Sequence, residues 1–203
     1  MREFLIFSFL IVFASPILAQ SNYEFNFKNS DSLNSYIENN NLLFHPEDIY
    51  IVKDLESYKA YTQTDFFASP IILVFNAEGK FLENIDNISS EKKLSNFKKI
   101  KSKPKKDQPV LEFLTEKIVP YETGKDFQSK NEYSFTFVIN WLLVTGEQKS
   151  MIIDILNEWY DVLSRQKANG ENIRIILLNM DVQDHWDLSP KWQNYVLENL
   201  NRS

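Results

Sequence analysis

The chain has 203 residues, a formal net charge of −6 and no cysteine. Without cysteine there can be no disulfide, thiol catalysis, cysteine-ligated zinc, iron–sulfur cluster or lipid-modified cysteine. The acidic balance gives no reason to expect nucleic-acid binding. The two histidines, His45 and His185, are too few for a histidine-rich metal site. We therefore expect neither a cofactor nor a metal.

Residues 1–19 have the pattern of a secretory signal peptide. A short charged start is followed by the apolar run FLIFSFLIVFA and by the small residue Ala19, after which we expect cleavage. The alternative is an uncleaved anchor, but spanning a bilayer takes roughly 20 apolar residues and this run is shorter. We expect a protein that is exported to the periplasm or secreted, with no stable membrane span after cleavage.

Residues 20–102 are predicted to contain strands, a hairpin and helices. The pattern indicates a short strand at 22–27, a helix at 31–37, a strand at 48–52 and a helix through Leu55, Tyr58 and Tyr61. Residues 71–75 form a continuous apolar run, and a turn at 76–79 leads to an alternating return at 80–85, which predicts a β-hairpin. A helix with Leu94, Phe97 and Ile100 on one face follows.

Residues 103–109 are predicted to be a linker. The stretch around them is rich in lysine and contains Pro104 and Pro109. A polyanion-binding or membrane-surface patch is one interpretation. We favour a solvated helix end that runs into a loop, because no aromatic residues alternate with the lysines.

Residues 110–203 are predicted to alternate between helices and buried strands. We expect a helix at 110–119 closed by Pro120, a strand at 134–144, a long amphipathic helix ending near Gly170, a strand at 172–181 and a final helix opened by Ser189-Pro190. The buried strands are continuously apolar, as in sheets covered on both faces. An α/β fold with a mixed sheet flanked by helices follows.

The stretch from Phe137 to Asp181 resembles the first half of a thioredoxin. In that family an apolar strand reaches a Trp, a loop carries Cys-Gly-Pro-Cys, a long helix follows, and a second strand ends in an Asp. Trp141 and Asp181 match the two ends of this pattern, and the redox tetrad falls on Thr145-Gly146-Glu147-Gln148. The same stretch also resembles segments of uncharacterised exported bacterial proteins.

Residues 48–100 resemble the second half of a thioredoxin, which has a proline, often cis, then a hairpin and a closing helix. Pro70 stands at the proline position. The resemblance implies a thioredoxin-like mixed sheet, with the two halves in reversed order. Either one permuted domain or two diverged units would explain this order.

The loop Thr145–Gln148 lacks the chemistry of the family. Thiol–disulfide exchange requires a thiolate, and a threonine hydroxyl is not appreciably ionised without an activating base. The protein is therefore not a thiol–disulfide oxidoreductase. Amides at a helix N-terminus favour anions, but Glu147 would oppose one. We expect Thr145 to cap the helix.

The sequence DVQDHWD, at 181–187, is a second candidate site. Asp181, Asp184, His185 and Asp187 could hold a cation or supply acid–base chemistry for a hydrolytic or metal-assisted enzyme. It lacks the glycine and the regular spacing of a calcium loop. The alternative, which we favour, is a loop whose aspartates fix turns while Trp186 packs on the core.

The resemblance and the missing cysteines favour a redox-inert binding protein whose partner is another protein or a peptide. Thioredoxin folds bind extended peptides beside the proline and the tetrad, so the candidate groove comprises Pro70, Trp141, Thr145, Gly146, Glu147 and Gln148. This interpretation requires an apolar groove open to solvent near Pro70 and Trp141. The enzyme described above and a structural accessory protein of the cell envelope are the alternatives.

Overall fold

The computed structural model describes residues 30–86, 90–100, 103–104, 108–125, 132–186 and 188–191. The predicted signal peptide 1–19, the predicted strand 22–27, most of the final helix and part of the linker 103–109 lie outside these residues. Within them the helices are α1 (Ser30–Asn39), α2 (Leu55–Thr62), α3 (Ser90–Ser95), α4 (Leu111–Thr115) and α5 (Lys149–Ala168). The strands are β1 (Ile49–Val52), β2 (Ile71–Asn76), β3 (Phe81–Ile85), β4 (Ile118–Pro120), β5 (Phe135–Trp141) and β6 (Ile173–Asn179).

The described strands form one mixed sheet in the order β3-β2-β5-β6-β1-β4. The three central strands β5, β6 and β1 are parallel, and α5 connects β5 to β6. The hairpin β2–β3 joins through β2, which runs antiparallel to β5. Strands from 20–102 and from 110–203 therefore contribute to the same sheet, and the predicted mixed α/β class is confirmed.

Helices cover both faces of the sheet, which explains why its strands are continuously apolar. One buried cluster joins Phe137, Ile139 and Trp141 of β5 to side chains of α1, α3 and α5. A second cluster joins Val138 and residues on the same side of the sheet to α2, α4 and the segment after β6. Successive residues of β5 thus contact opposite layers, as the pleat of a strand requires.

The helix predicted over 110–119 is wrong in its second half. α4 ends at Thr115, and Ile118–Pro120 pairs antiparallel with β1, with Tyr50 opposite Pro120. Two β-branched residues favour extended backbone here. Pro120 is tolerated because β4 has no neighbour on its outer side among the described strands, and such a strand does not need every backbone N–H.

Candidate binding site

The candidate groove residues belong to the end of the sheet where β5 and β6 finish. Ile71 pairs with Asn140, so Pro70, immediately before β2, lies near the last residues of β5. The Ser69–Pro70 peptide bond is cis. Asp181 follows β6 at the same end, so the structure brings one residue of the second candidate site to the loop of the first.

The Trp141 side chain does not line an open groove. It is 0% exposed, and its ring lies against that of Phe44 with centroids 5.1 Å apart. Phe44 in turn contacts Tyr160 of α5 at 5.4 Å. The expectation of a solvent-exposed groove at Trp141 is therefore corrected, because the segment that follows α1 covers this side chain.

The loop between β5 and α5 has a conformation different from the predicted cap. Gly146 has φ = 82°, a left-handed conformation that favours glycine. The N-cap residue of α5 is Gln148, which makes no side-chain capping bond, so the prediction of Thr145 as the cap is wrong. The turn at Gly146, closed by a hydrogen bond from Lys149 N to Gly146 O of 3.2 Å, delays the start of the helix. Thr145 and Gln148 are half-buried, and Gly146 and Glu147 are exposed.

Two polar side chains hold the backbone of this loop. The Tyr36 hydroxyl donates to Val144 O at 2.9 Å and accepts from Val144 N at 3.0 Å. The Asp181 carboxylate accepts from Leu143 N at 2.9 Å and from the Asn179 side-chain amide at 2.7 Å. Consecutive residues of the loop are therefore tied to α1 and to the end of β6.

Asp181 sets the electrostatics of this end of the sheet. Burial raises the pKa of Tyr36, the hydrogen bond to the Val144 backbone lowers it, and the negative charge of Asp181 raises it. Burial, and then Asp181, raises the pKa of Tyr58 to about 12. Both phenols therefore stay neutral at physiological pH, and neither can serve as a general base there.

The structure gives Asp181, Asp184 and His185 different surroundings. Asp181 is half-buried and used as a hydrogen-bond acceptor for the loop, whereas Asp184 and His185 are exposed. Asp187 lies outside the described residues. Among the residues that the structure does describe, no group of three or more His, Asp or Glu side chains is arranged to hold a metal ion. No described helix combines the length and the apolar character needed to cross a bilayer.

Asn140 and Asn179 are site residues that sequence reasoning missed. Both are 0% exposed. Asn140 donates to Phe66 O at 2.7 Å and Ala68 O at 3.2 Å, and so fixes the segment before Pro70. Asn179 accepts from Asp181 N and Gln183 Nε2. A single asparagine near the end of each apolar strand was the available signal, because a buried amide must find partners.

Two polar cavities lie beside β1. One, of about 670 Å³, is lined by Lys53, Lys117, Asp54, Glu56 and Glu116 among others. Another, of about 280 Å³, is lined by Arg174, Lys167, Glu47 and Asp48 among others. Each carries both signs of charge on its walls, so neither indicates a charged class of ligand.

The fold and this site define an open mixed α/β sheet that carries a structured loop at the carboxyl end of its parallel strands. No protein-family model, curated protein or solved structure matches the chain.

Proposed function

We propose that the protein is an exported, redox-inert thioredoxin-like protein that binds another protein or a peptide, as an accessory of the cell envelope. The observation that carries the proposal is the placement of the two thioredoxin-like segments. The unit β5-α5-β6 is parallel, and the hairpin β2–β3 joins β5 in antiparallel register. This is the arrangement expected of one permuted unit, with the hairpin half preceding the strand–helix–strand half.

The chemistry of the loop supports binding over catalysis. The positions of the redox pair hold Thr145 and Gln148, and the chain has no cysteine. Asp181 holds the loop backbone at Leu143, so little conformational entropy is lost when a partner contacts it. The carboxylate of Asp181 is committed to two N–H donors, which supports a structural role for the residue. Nothing observed at Asp181, Asp184 or His185, the described residues of the alternative site, favours a hydrolytic or metal-assisted enzyme.

Site-specific photo-crosslinking tests this proposal. A photoreactive residue replaces Glu147, which is exposed in the loop, and in a control variant it replaces Asp154, which is exposed on α5. Both variants are incubated with a cell-envelope fraction, and the adducts are identified by mass spectrometry. We expect a distinct adduct from position 147 that position 154 does not give.

Binding is then measured by calorimetry with the purified partner. Replacing Glu147 by Arg changes the charge of the loop and is expected to weaken binding roughly tenfold, as a contact at a binding surface does. Asp154→Arg is the matched control and should bind as the wild type does. Equal adducts from both positions, or no adduct from either, would contradict the proposal.

A further inference from the structure

We infer that residues 30–44, which we call the lid, occupy the binding groove of this protein and must move before a partner can enter it. The inference rests on the proposed function and adds a mode of regulation to the same site. The lid comprises α1 and the segment that leads to Phe44.

The first observation is the pair of hydrogen bonds at Val144. In a hydrogen-bonded pair of an antiparallel sheet, each residue uses both its N–H and its C=O to bond to the residue opposite. Here the Tyr36 hydroxyl alone satisfies both groups of Val144, at 3.0 and 2.9 Å. The lid therefore uses the donor and the acceptor that an extended peptide would need in order to pair with the loop.

The second observation is the contact between Phe44 and Trp141. Their rings meet edge to face at a centroid distance of 5.1 Å, and Trp141 is 0% exposed. The indole Nε1 of Trp141 is buried and has no hydrogen-bond partner among the residues that the structure describes. Trp141 is thus an aromatic side chain at the candidate groove whose indole N–H could still donate a hydrogen bond, and the lid covers it. Aromatic side chains of this kind dominate binding interfaces.

The third observation is that the lid is attached through side chains, among them the buried Leu33, Leu42 and Phe44, and not through strand pairing. α1 has ten residues, which is short for a helix that must be stable by itself. Its fully buried apolar side chain is Leu33, whereas Tyr36 and Ile37 are half-buried. No strand of the sheet comes from the lid, so it can separate without breaking strand pairing.

Beyond α1, hydrogen bonds hold the lid to α5. The Asn157 side chain accepts from Leu43 N at 2.9 Å and donates to Asn41 O at 3.1 Å. His45 N, directly after the lid, donates to the Tyr160 hydroxyl at 3.0 Å. Opening would break the two Asn157 bonds, whereas the bond from His45 to Tyr160 marks the hinge next to β1 about which α1 and Phe44 would swing.

Because the natural chain has no cysteine, an introduced thiol reports opening without interference. Val144→Cys places a thiol in the loop under the lid, and Val138→Cys places one in β5 against the opposite face of the sheet; both valines are buried, at 2% and 0% exposure. The rate of thiol modification is measured without denaturant. We expect Cys at 144 to react faster than Cys at 138, since lid opening exposes only the former.

Tyr36→Phe then removes the hydroxyl and keeps the ring. Losing two hydrogen bonds should speed modification at position 144 roughly tenfold and leave position 138 unchanged. Tyr133→Phe, a change of the same kind in a half-buried residue outside the lid, should alter neither rate. Amide hydrogen exchange at Val144 in the cysteine-free chain should accelerate in Tyr36→Phe by a similar factor.

Equal modification rates for the thiols at positions 144 and 138 would overturn the lid inference. So would a Tyr36→Phe variant in which neither the thiol at 144 nor the Val144 amide reacts faster. These readouts need no partner, so they are independent of the proposed function. If the lid opens but no partner crosslinks to position 147 in the Tyr36→Phe chain, the proposed function fails and the lid stands. If Tyr36→Phe gives the same yield of the position-147 adduct as the wild type, binding does not require opening and the lid inference fails alone.

Discussion

Asn140 holds the segment before β2 against the sheet by means of one buried amide. Its Nδ2 group donates to Phe66 O and Ala68 O, and its side chain also exchanges hydrogen bonds with the Tyr61 hydroxyl. The neighbouring side chain on the same face of β5, Val138, is apolar and cannot donate hydrogen bonds in its place. A buried carbonyl that loses its donor retains the cost of desolvation, which makes the position sensitive to substitution.

Asn140→Asp keeps the shape of the side chain and removes the donor. We expect a loss of roughly 2–4 kcal/mol in the free energy of unfolding, because two carbonyl oxygens would face a carboxyl oxygen. The buried carboxyl would have a raised pKa in the folded state, so its penalty should grow as the pH rises above the unfolded pKa. Urea unfolding at mildly acidic and mildly alkaline pH measures both effects. Asn84→Asp, at an exposed position of β3, is the control and should cost little.

Trp141 and Tyr36 show what the sequence could and could not predict about the site. The apolar run predicts that β5 reaches Trp141, and that loop and helix follow, because this information is local. Whether the Trp141 side chain is exposed or covered depends on Phe44, which lies 97 positions earlier in the chain. The conformation of the loop depends on Tyr36, which lies 108 positions before Val144. A helical pattern places Tyr36 on a face of α1 but does not say what that face contacts.

At the scale of elements, α5 ends in a Schellman motif. Glu171 N donates to Gln166 O and Gly170 N donates to Lys167 O, both at 3.1 Å, with Gly170 at φ = 87°. These are the two bonds that define the motif, and they require a left-handed residue at this position. The sequence predicted this end correctly, because glycine after an amphipathic helix is a direct signal.

Gly170→Ala should therefore lower the free energy of unfolding by about 1 kcal/mol. The cost is conformational, because an added Cβ would meet no atom within 4 Å. Gly170→Asn adds a larger side chain that tolerates left-handed backbone, so it should cost less than alanine. Chemical denaturation of both variants provides the measurement. A greater loss with Asn than with Ala would show that crowding, and not backbone conformation, decides the position.

β4 shows where local patterns fail for an element. The spacing at 110–119 fits a helix, yet Ile118–Pro120 is an edge strand whose partner β1 lies more than 60 positions earlier. Hydrogen bonds to β1 override the local preference of so short a segment. The longer elements α5, β5 and β6 were predicted in type and place, because their patterns extend over two or more turns or a full buried strand, although the strand predicted at 134–144 ends at Trp141.

At the scale of the whole molecule, buried phenols couple folding to alkaline pH. Burial, with a further contribution from Asp181, raises the pKa of Tyr58 from 10.0 to about 12. Burial also raises the pKa of Tyr61, and a hydrogen bond to Asn140 partly opposes this rise. At Tyr160, burial raises the pKa and the negative charge of Asp48 raises it further. A raised pKa means that the folded state holds its proton where the unfolded state has lost it. The stability that this adds is full below about pH 10 and is lost as the pH rises through the folded pKa.

We therefore expect the free energy of unfolding to fall steeply above about pH 10, and Tyr58→Phe to reduce that slope. One unit of pKa corresponds to about 1.4 kcal/mol, so Tyr58 accounts for roughly 2 kcal/mol of the fall once its partial exposure is considered. Urea unfolding of both proteins across the alkaline range gives the slopes. Below that range the difference between wild type and Tyr58→Phe should be constant, which provides the internal control. Parallel curves throughout would mean that Tyr58 ionises at the same pH in the folded and unfolded states, against the effect expected from its burial and from Asp181.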